Sequence, residues 1–125
     1  MAELTALYRL RQAVREELSD LAAGDRILVA VSGGADSLAL AAALLPEVTA
    51  LAIDCVPVII DHGLQADSAE VANAARATLG KLGYSSVEVR RITVKEVDGP
   101  EASARRARYA ALDQSANELS AKAIF

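Results

Sequence analysis

The run Ile27-Leu28-Val29-Ala30-Val31-Ser32-Gly33-Gly34-Ala35-Asp36-Ser37 constrains this chain more than any other segment. Its apolar opening, bounded by Gly24 before and a glycine pair after, has the composition of a strand buried on both faces. Leu and Ala then dominate from Ser37 to Leu45, which predicts a helix. A strand passed straight to a helix through glycines aims the free N–H groups of the first helical turn beyond the carboxyl end of the strand, a geometry that favours an anion. Gly33 and Gly34 are read as taking backbone angles closed to other residues and letting phosphate oxygens approach the main chain there and at Ala35. Ser32 and Ser37 add hydroxyl donors. A carboxylate beside phosphates is repulsive unless a cation lies between them, so Asp36 is assigned to Mg²⁺. No Lys follows as in a P-loop, and the spacing is not that of a dinucleotide fingerprint. Without that γ-phosphate clamp, a loop cradling the β and γ phosphates together suits attack at the α-phosphorus, with pyrophosphate leaving. The plainer alternative is a tight strand-to-helix turn with no ligand.

The rest of the chain alternates in the same way. Leu4, Leu7, Val14, Leu18 and Leu21 recur at helical spacing and predict a first helix that packs on a sheet and ends near Gly24. Arg26–Val31 is strand one, and Pro46 is expected to stop the helix after it. Pro57 breaks an apolar run, so the second strand is placed at Val58–Ile60 and Val48–Val56 is left unassigned. Asp67 or Ser68 caps a helix with Ala72, Ala75, Leu79 and Leu82 on one face, ending at Gly83. Ser86–Val94 reads as strand three, its alternation slipping at Arg90-Arg91 as at a bulge or a strand end. Asp98-Gly99-Pro100 is a turn, Glu101–Leu119 a helix, and Ala121–Phe125 the opening of a fourth strand. This order predicts a doubly wound parallel α/β sheet in one domain, residues 1–125, with an amino-terminal helix in 1–24 and βαβ units over 26–125, cut before its last strands. Ligands of such sheets sit beyond the carboxyl ends of the strands.

Composition narrows the function classes. With 125 residues, 53% hydrophobic and 24% charged, the chain suits one folded domain and not a disordered or fibrous protein. Aromatics are 3%, so no stacking platform for single-stranded nucleic acid is legible. A net charge of −4 is not by itself the mark of a nucleic-acid binder. The single Cys55 excludes an internal disulfide and fits a reducing cytoplasmic setting; it is expected to be a buried apolar residue. The mixed charged and apolar amino terminus reads as neither signal peptide nor membrane anchor. An unfinished sheet would leave an open edge at which a homodimer could form.

Ser32-Gly33-Gly34-Ala35-Asp36-Ser37 resembles the PP-loop, S-G-G-x-D-S, of the N-type ATP pyrophosphatases, a superfamily that includes GMP and NAD synthetases, tRNA thiolases and lysidine synthetases. Two further segments point within it. Asp61-His62-Gly63-Leu64-Gln65 is similar to the D-H-G-L-R segment of lysidine synthetases, with Gln65 where that family has Arg. Glu101-Ala102-Ser103-Ala104-Arg105-Arg106-Ala107-Arg108-Tyr109 resembles their E-A-x-A-R-x-x-R-Y helix. Read without the resemblance, Asp61 and His62 end a strand on the ligand side or form a solvated turn, and Glu101 with Arg105 is equally an exposed ion pair.

The resemblance implies ATP and Mg²⁺ as cofactors, and Asp61 and His62 near the nucleotide. It makes Arg105 and Arg108 candidates for contact with tRNA or triphosphate, Arg108 the stronger and, with Asp36, catalytic. The implied reaction adenylates the C2 oxygen of the wobble cytidine of tRNA(Ile); L-lysine then displaces AMP. In that family a His-x-x-Asp-Asp segment and tRNA-gripping domains follow the fourth strand, so these 125 residues alone are expected to be inactive in that reaction. Two other readings remain open at this level: another adenylating enzyme, such as a tRNA thiolase or an amidotransferase-coupled synthetase, and a nucleotide-binding module without catalysis.

Overall fold

The computed structural model describes residues 2–63, 66–94 and 99–125. Along the chain run α1 (Ala2–Leu18), β1 (Arg26–Val31), α2 (Ala35–Ala50), β2 (Asp54–Asp61), α3 (Ser68–Leu82), β3 (Glu88–Arg91), α4 (Pro100–Leu119) and β4 (Ala123–Ile124). The strands form one sheet in the order β3-β2-β1-β4, every neighbouring pair parallel. β1 is central: Ile27 stands opposite Cys55 on one side and Ala123 on the other. The order reverses direction between β1 and β4, which opens a crevice above the carboxyl end of β1.

Both faces of the sheet are covered, as continuous apolar strands require. Ile27, Val29, Val31 and Ile59 face Ala41, Leu44 and Val48 of α2 and Ala72, Ala75 and Leu79 of α3. Leu28, Val56 and Val58 face the other way, onto Leu112 of α4. The first helix packs chiefly on α2 and not on the sheet, with Val14 and Leu18 entering the core under α2 and α3. Its attachment is polar as well. Glu47 of α2, 7% exposed, accepts from Arg15 Nε at 2.8 Å and from Arg11 Nη2 at 3.3 Å. The Arg15 hydrogen bond foremost holds the Glu47 carboxyl below its ordinary pKa, so this near-buried charge is paired and bonded.

Several element boundaries differ from the sequence reading. Pro46 lies inside α2, which continues to Ala50. A proline forfeits only its own bond to the carbonyl four residues back, and here the following turn is fastened by buried Val48 and the Glu47 ion pairs. The unassigned Val48–Val56 divides into the end of α2, a turn and the start of β2. β2 is longer than Val58–Ile60 and contains Pro57, because β3 joins it only from Val58 and leaves an open side where a missing N–H costs no ladder bond. β3 is Glu88–Arg91 in place of Ser86–Val94, so the slip at Arg90-Arg91 marks a strand end. Helix α1 closes at Leu18, short of Gly24. Leu82 is exposed and does not share the buried face of Ala72, Ala75 and Leu79. Asp67 is the N-cap of α3 without a side-chain bond, and Gly83 closes the helix at φ 119°. β4 is only Ala123–Ile124, and Asp98 of the expected turn lies outside the described residues.

Candidate functional site

The segment between β1 and α2 is organised by two hydroxyls. Ser37 Oγ accepts from the Ser32 N–H at 3.1 Å and donates to the Gly34 carbonyl at 3.1 Å. Ser32 Oγ accepts from the Gly34 N–H at 3.2 Å and lies 3.1 Å from Ser37 Oγ. The loop is thereby closed on itself by its own hydrogen bonds. Gly33 alone needs to be glycine for its backbone: its φ is +89°, and a Cβ there would meet Val71 Cγ1 at 3.1 Å. Gly34, at φ −74° and ψ 159°, is in ordinary extended conformation, which corrects the expectation that both glycines use angles closed to other residues. Gly34 is also the N-cap of α2 and offers no side chain, so no side-chain bond caps the helix start and its first turn presents N–H groups at the crevice. Asp36 sits exposed in that turn.

At the end of the neighbouring strand, Asp61 is 7% exposed. The Ser68 hydroxyl and the Gly63 N–H, the latter at 3.1 Å from Oδ1, bond its carboxylate, and Arg91 Nε stands 3.7 Å from Oδ2. These hydrogen bonds, the one from Ser68 largest, hold its carboxyl below the usual carboxylate range despite burial. Asp61 is thus occupied by the protein itself, pinning the start of α3 and the turn at Gly63 to the end of β2. Neither Ser68 nor Arg91 was singled out from the sequence for this; only the position of Arg91 at the end of a predicted strand could have drawn attention to it. Leu64 and Gln65 of the same motif lie outside the described residues.

Two clefts flank the carboxyl edge of β1 and β2 and share Ser32, Ile60 and His62. The smaller, about 150 Å³, is walled by Asp61, Ser68, Val71 and Ala72 on the α3 side. The larger, about 320 Å³, lies on the α4 side and brings Ser32, Ser37, His62, Arg108 and Tyr109 to one surface. Motifs far apart in the sequence therefore meet: the glycine loop, the strand-end His62 and the arginine helix. Arg105 does not line the cleft; its Cζ lies 5.4 Å from the Tyr109 ring centroid, and that of Arg108 lies at 5.7 Å. Among the described residues no ion pair joins Glu101 to Arg105. Tyr109, one helical turn from Arg105, is the cleft residue that sequence reasoning left without a role. Cys55 stays outside the site: burial pushes its thiol up to about 11, and its Sγ contacts Tyr84 Oη at 3.9 Å.

The donor set also bears on a cation. Among the described residues no three His, Cys, Asp or Glu side chains gather into a metal cage. One exposed carboxylate beside an uncapped helix start matches an ion shared with phosphate oxygens, which is how Mg²⁺ is commonly held. Among the described residues no helix is long and apolar enough to cross a membrane.

A family model described as a PP-loop domain matches residues 3–125. A tRNA(Ile)-lysidine synthase from Thermobifida fusca is 49% identical over 115 residues, covering 92% of this chain and 36% of that protein. One from Leifsonia xyli subsp. xyli is 44% identical over 104 residues, 83% of this chain and 31% of that protein. The chain spans about a third of the length of these curated relatives. Among solved structures, the U34-tRNA thiolase NcsA from Methanococcus maripaludis superposes with a TM-score of 0.76 at 17% identity, over 94% of this chain and 43% of that one, a likeness of fold.

Proposed function

The chain belongs to the PP-loop domain family, and from that membership we propose that it is the ATP-binding part of a tRNA(Ile)-lysidine synthase. In this reading Ser32, Gly33, Gly34, Ala35 and Ser37 cradle the β and γ phosphates of ATP. The first turn of α2 supplies N–H donors and the two serines supply hydroxyls. Asp36 would hold Mg²⁺ together with those phosphates; when bound, the ion neutralises charge building on the departing pyrophosphate. Arg108, across the larger cleft, faces the same phosphates, and His62 stands between the two clefts, where it can hydrogen-bond nucleotide or cytidine. Arg105 lies outside the cleft, where the backbone of a bound tRNA could reach it. Asp61 acts at one remove, fixing the strand end on which His62 sits.

The chemistry asked of these groups is positioning and charge neutralisation. The cytidine C2 oxygen, an amide-like and poor leaving group, attacks the α-phosphorus and pyrophosphate departs. The adenylated C2 then accepts the ε-amine of L-lysine and AMP leaves. No covalent enzyme nucleophile is required. The observation that carries the proposal is the meeting of the closed Ser-Gly-Gly loop, His62 and Arg108 on one cleft at the carboxyl edge of the sheet. The degree of identity to lysidine synthases supports the choice among PP-loop enzymes.

The test uses the full-length protein with isoleucine tRNA, ATP, Mg²⁺ and labelled lysine. The expected result is pyrophosphate release coupled to lysine incorporation, with Asp36→Ala lowering release by roughly 100-fold or more. Pyrophosphate release without lysine incorporation would transfer the chain to another adenylating PP-loop activity. ATP binding without release would make it a non-catalytic nucleotide module.

A further inference from the structure

The arginine helix presents an arrangement that its motif alone does not explain. Tyr109 lines the larger cleft while remaining 50% exposed, so core burial does not account for its place. Its ring has the guanidinium carbons of Arg105 and Arg108 at 5.4 and 5.7 Å from its centroid, within the range at which a ring face attracts a cation. No carboxylate among the described residues pairs with either arginine. Long exposed arginines otherwise lose much rotamer freedom on meeting an anion, a cost that an aromatic support reduces beforehand. Of the two, only Arg108 shares the cleft with Ser32 and Ser37.

We propose that Tyr109 is a positioning residue: its ring holds the Arg108 guanidinium toward the phosphate loop, so that the arginine is oriented before the anion binds. The partner chemistry is a phosphate oxygen, of a nucleoside triphosphate or of an RNA backbone. The position of Arg108 opposite Ser32 and Ser37 favours the triphosphate. This deepens the ATP-binding reading above and rests on it.

The contact needs the ring and not the hydroxyl, so two substitutions separate the idea from a structural role. In full-length protein with Mg²⁺, Tyr109→Leu is expected to weaken binding of inorganic triphosphate by roughly five- to tenfold, measured by calorimetric titration, while Tyr109→Phe stays within about twofold of the parent. The KM for ATP should rise in the Leu variant with kcat less affected. Arg108→Lys retains charge but loses the flat group that stacks, and should reproduce the Leu phenotype; combining the two should add little more. Unchanged triphosphate affinity in Tyr109→Leu overturns the proposal. So does a Phe variant as weak as Leu, a fully additive double variant, or a loss seen only with a single-stranded RNA oligonucleotide. If the parent protein itself fails to bind triphosphate, the phosphate-loop reading falls and takes this one with it; normal parental binding with an inert Tyr109 removes this one alone.

Discussion

Asp36 and Asp61 are chemically alike and both end up near the crevice, yet their surroundings differ. Asp36 is exposed in the first turn of α2, where a cation can reach it. Asp61 is buried and already bonded by Ser68 and Gly63, with Arg91 beside it. Its folded pKa lies below the ordinary 3.8, so its ionised form stabilises the fold above that value, and the contribution is lost as the pH falls from 3.8 through the lower folded pKa. Asp61→Asn is accordingly expected to melt at a lower temperature than the parent at pH 7, the difference narrowing in acid. A gap of constant size from neutral to acid pH would show that the negative charge is not responsible. Both carboxylates were legible in the sequence as site candidates. Which one is free to meet a ligand was not, because that depends on Ser68 and Arg91 arriving from other elements. The same holds for the glycine pair: Gly33 is demanded by its angle and by Val71 of α3, whereas Gly34 is in common backbone territory.

Elements bounded by local chemistry were legible, and those bounded by neighbours were not. β1 falls at Arg26–Val31 as its apolar run implies, and α3 stops at Gly83 in the left-handed region. Pro46 and Pro57 misled because proline's cost depends on whether its missing N–H had a partner to lose. Within α2 that partner is the Ala42 carbonyl, and the helix bears the loss because Glu47 and Val48 are fastened to α1 and the core. Pro46 is exposed, so Pro46→Ala should restore the bond without disturbing packing. Allowing for the entropy that alanine returns to the unfolded chain, the expected gain is about 1–2 kcal/mol, read as a higher thermal midpoint by circular dichroism. No gain would mean that the turn after Pro46 is set by its tertiary fastenings alone.

At the scale of the whole molecule the two sides of the sheet are unequal. Two helices, α2 and α3, seal one face over a broad apolar cluster that α1 also enters; among the described residues α4 is the helix that covers the other, meeting Leu28, Val56 and Val58 through buried Leu112 and partly buried Ala116 and Leu119. Fewer buried contacts mean a lower cost of local opening. Amide hydrogen exchange should therefore find α4 less protected than α2 and β1, and protection of α4 should rise with ATP if Arg108 closes on the phosphates. Equal protection across the three elements would contradict this picture. It is also the α4 wall that carries Arg108 and Tyr109, so the side of the cleft with the thinnest apolar support is the side expected to respond to a ligand. By itself the sequence determined the parallel α/β alternation and the strand-to-helix glycine loop, and it named the residues proposed to meet phosphate. All of these follow from periodicity, backbone freedom and side-chain chemistry within a short stretch of chain. Only the tertiary structure decided which face each helix covers, that Asp61 is held within the protein, and that Tyr109 and Arg108 line one cleft with Ser32 and Ser37. Each of these depends on distant segments meeting across the sheet, where burial and partner geometry outweigh local preference.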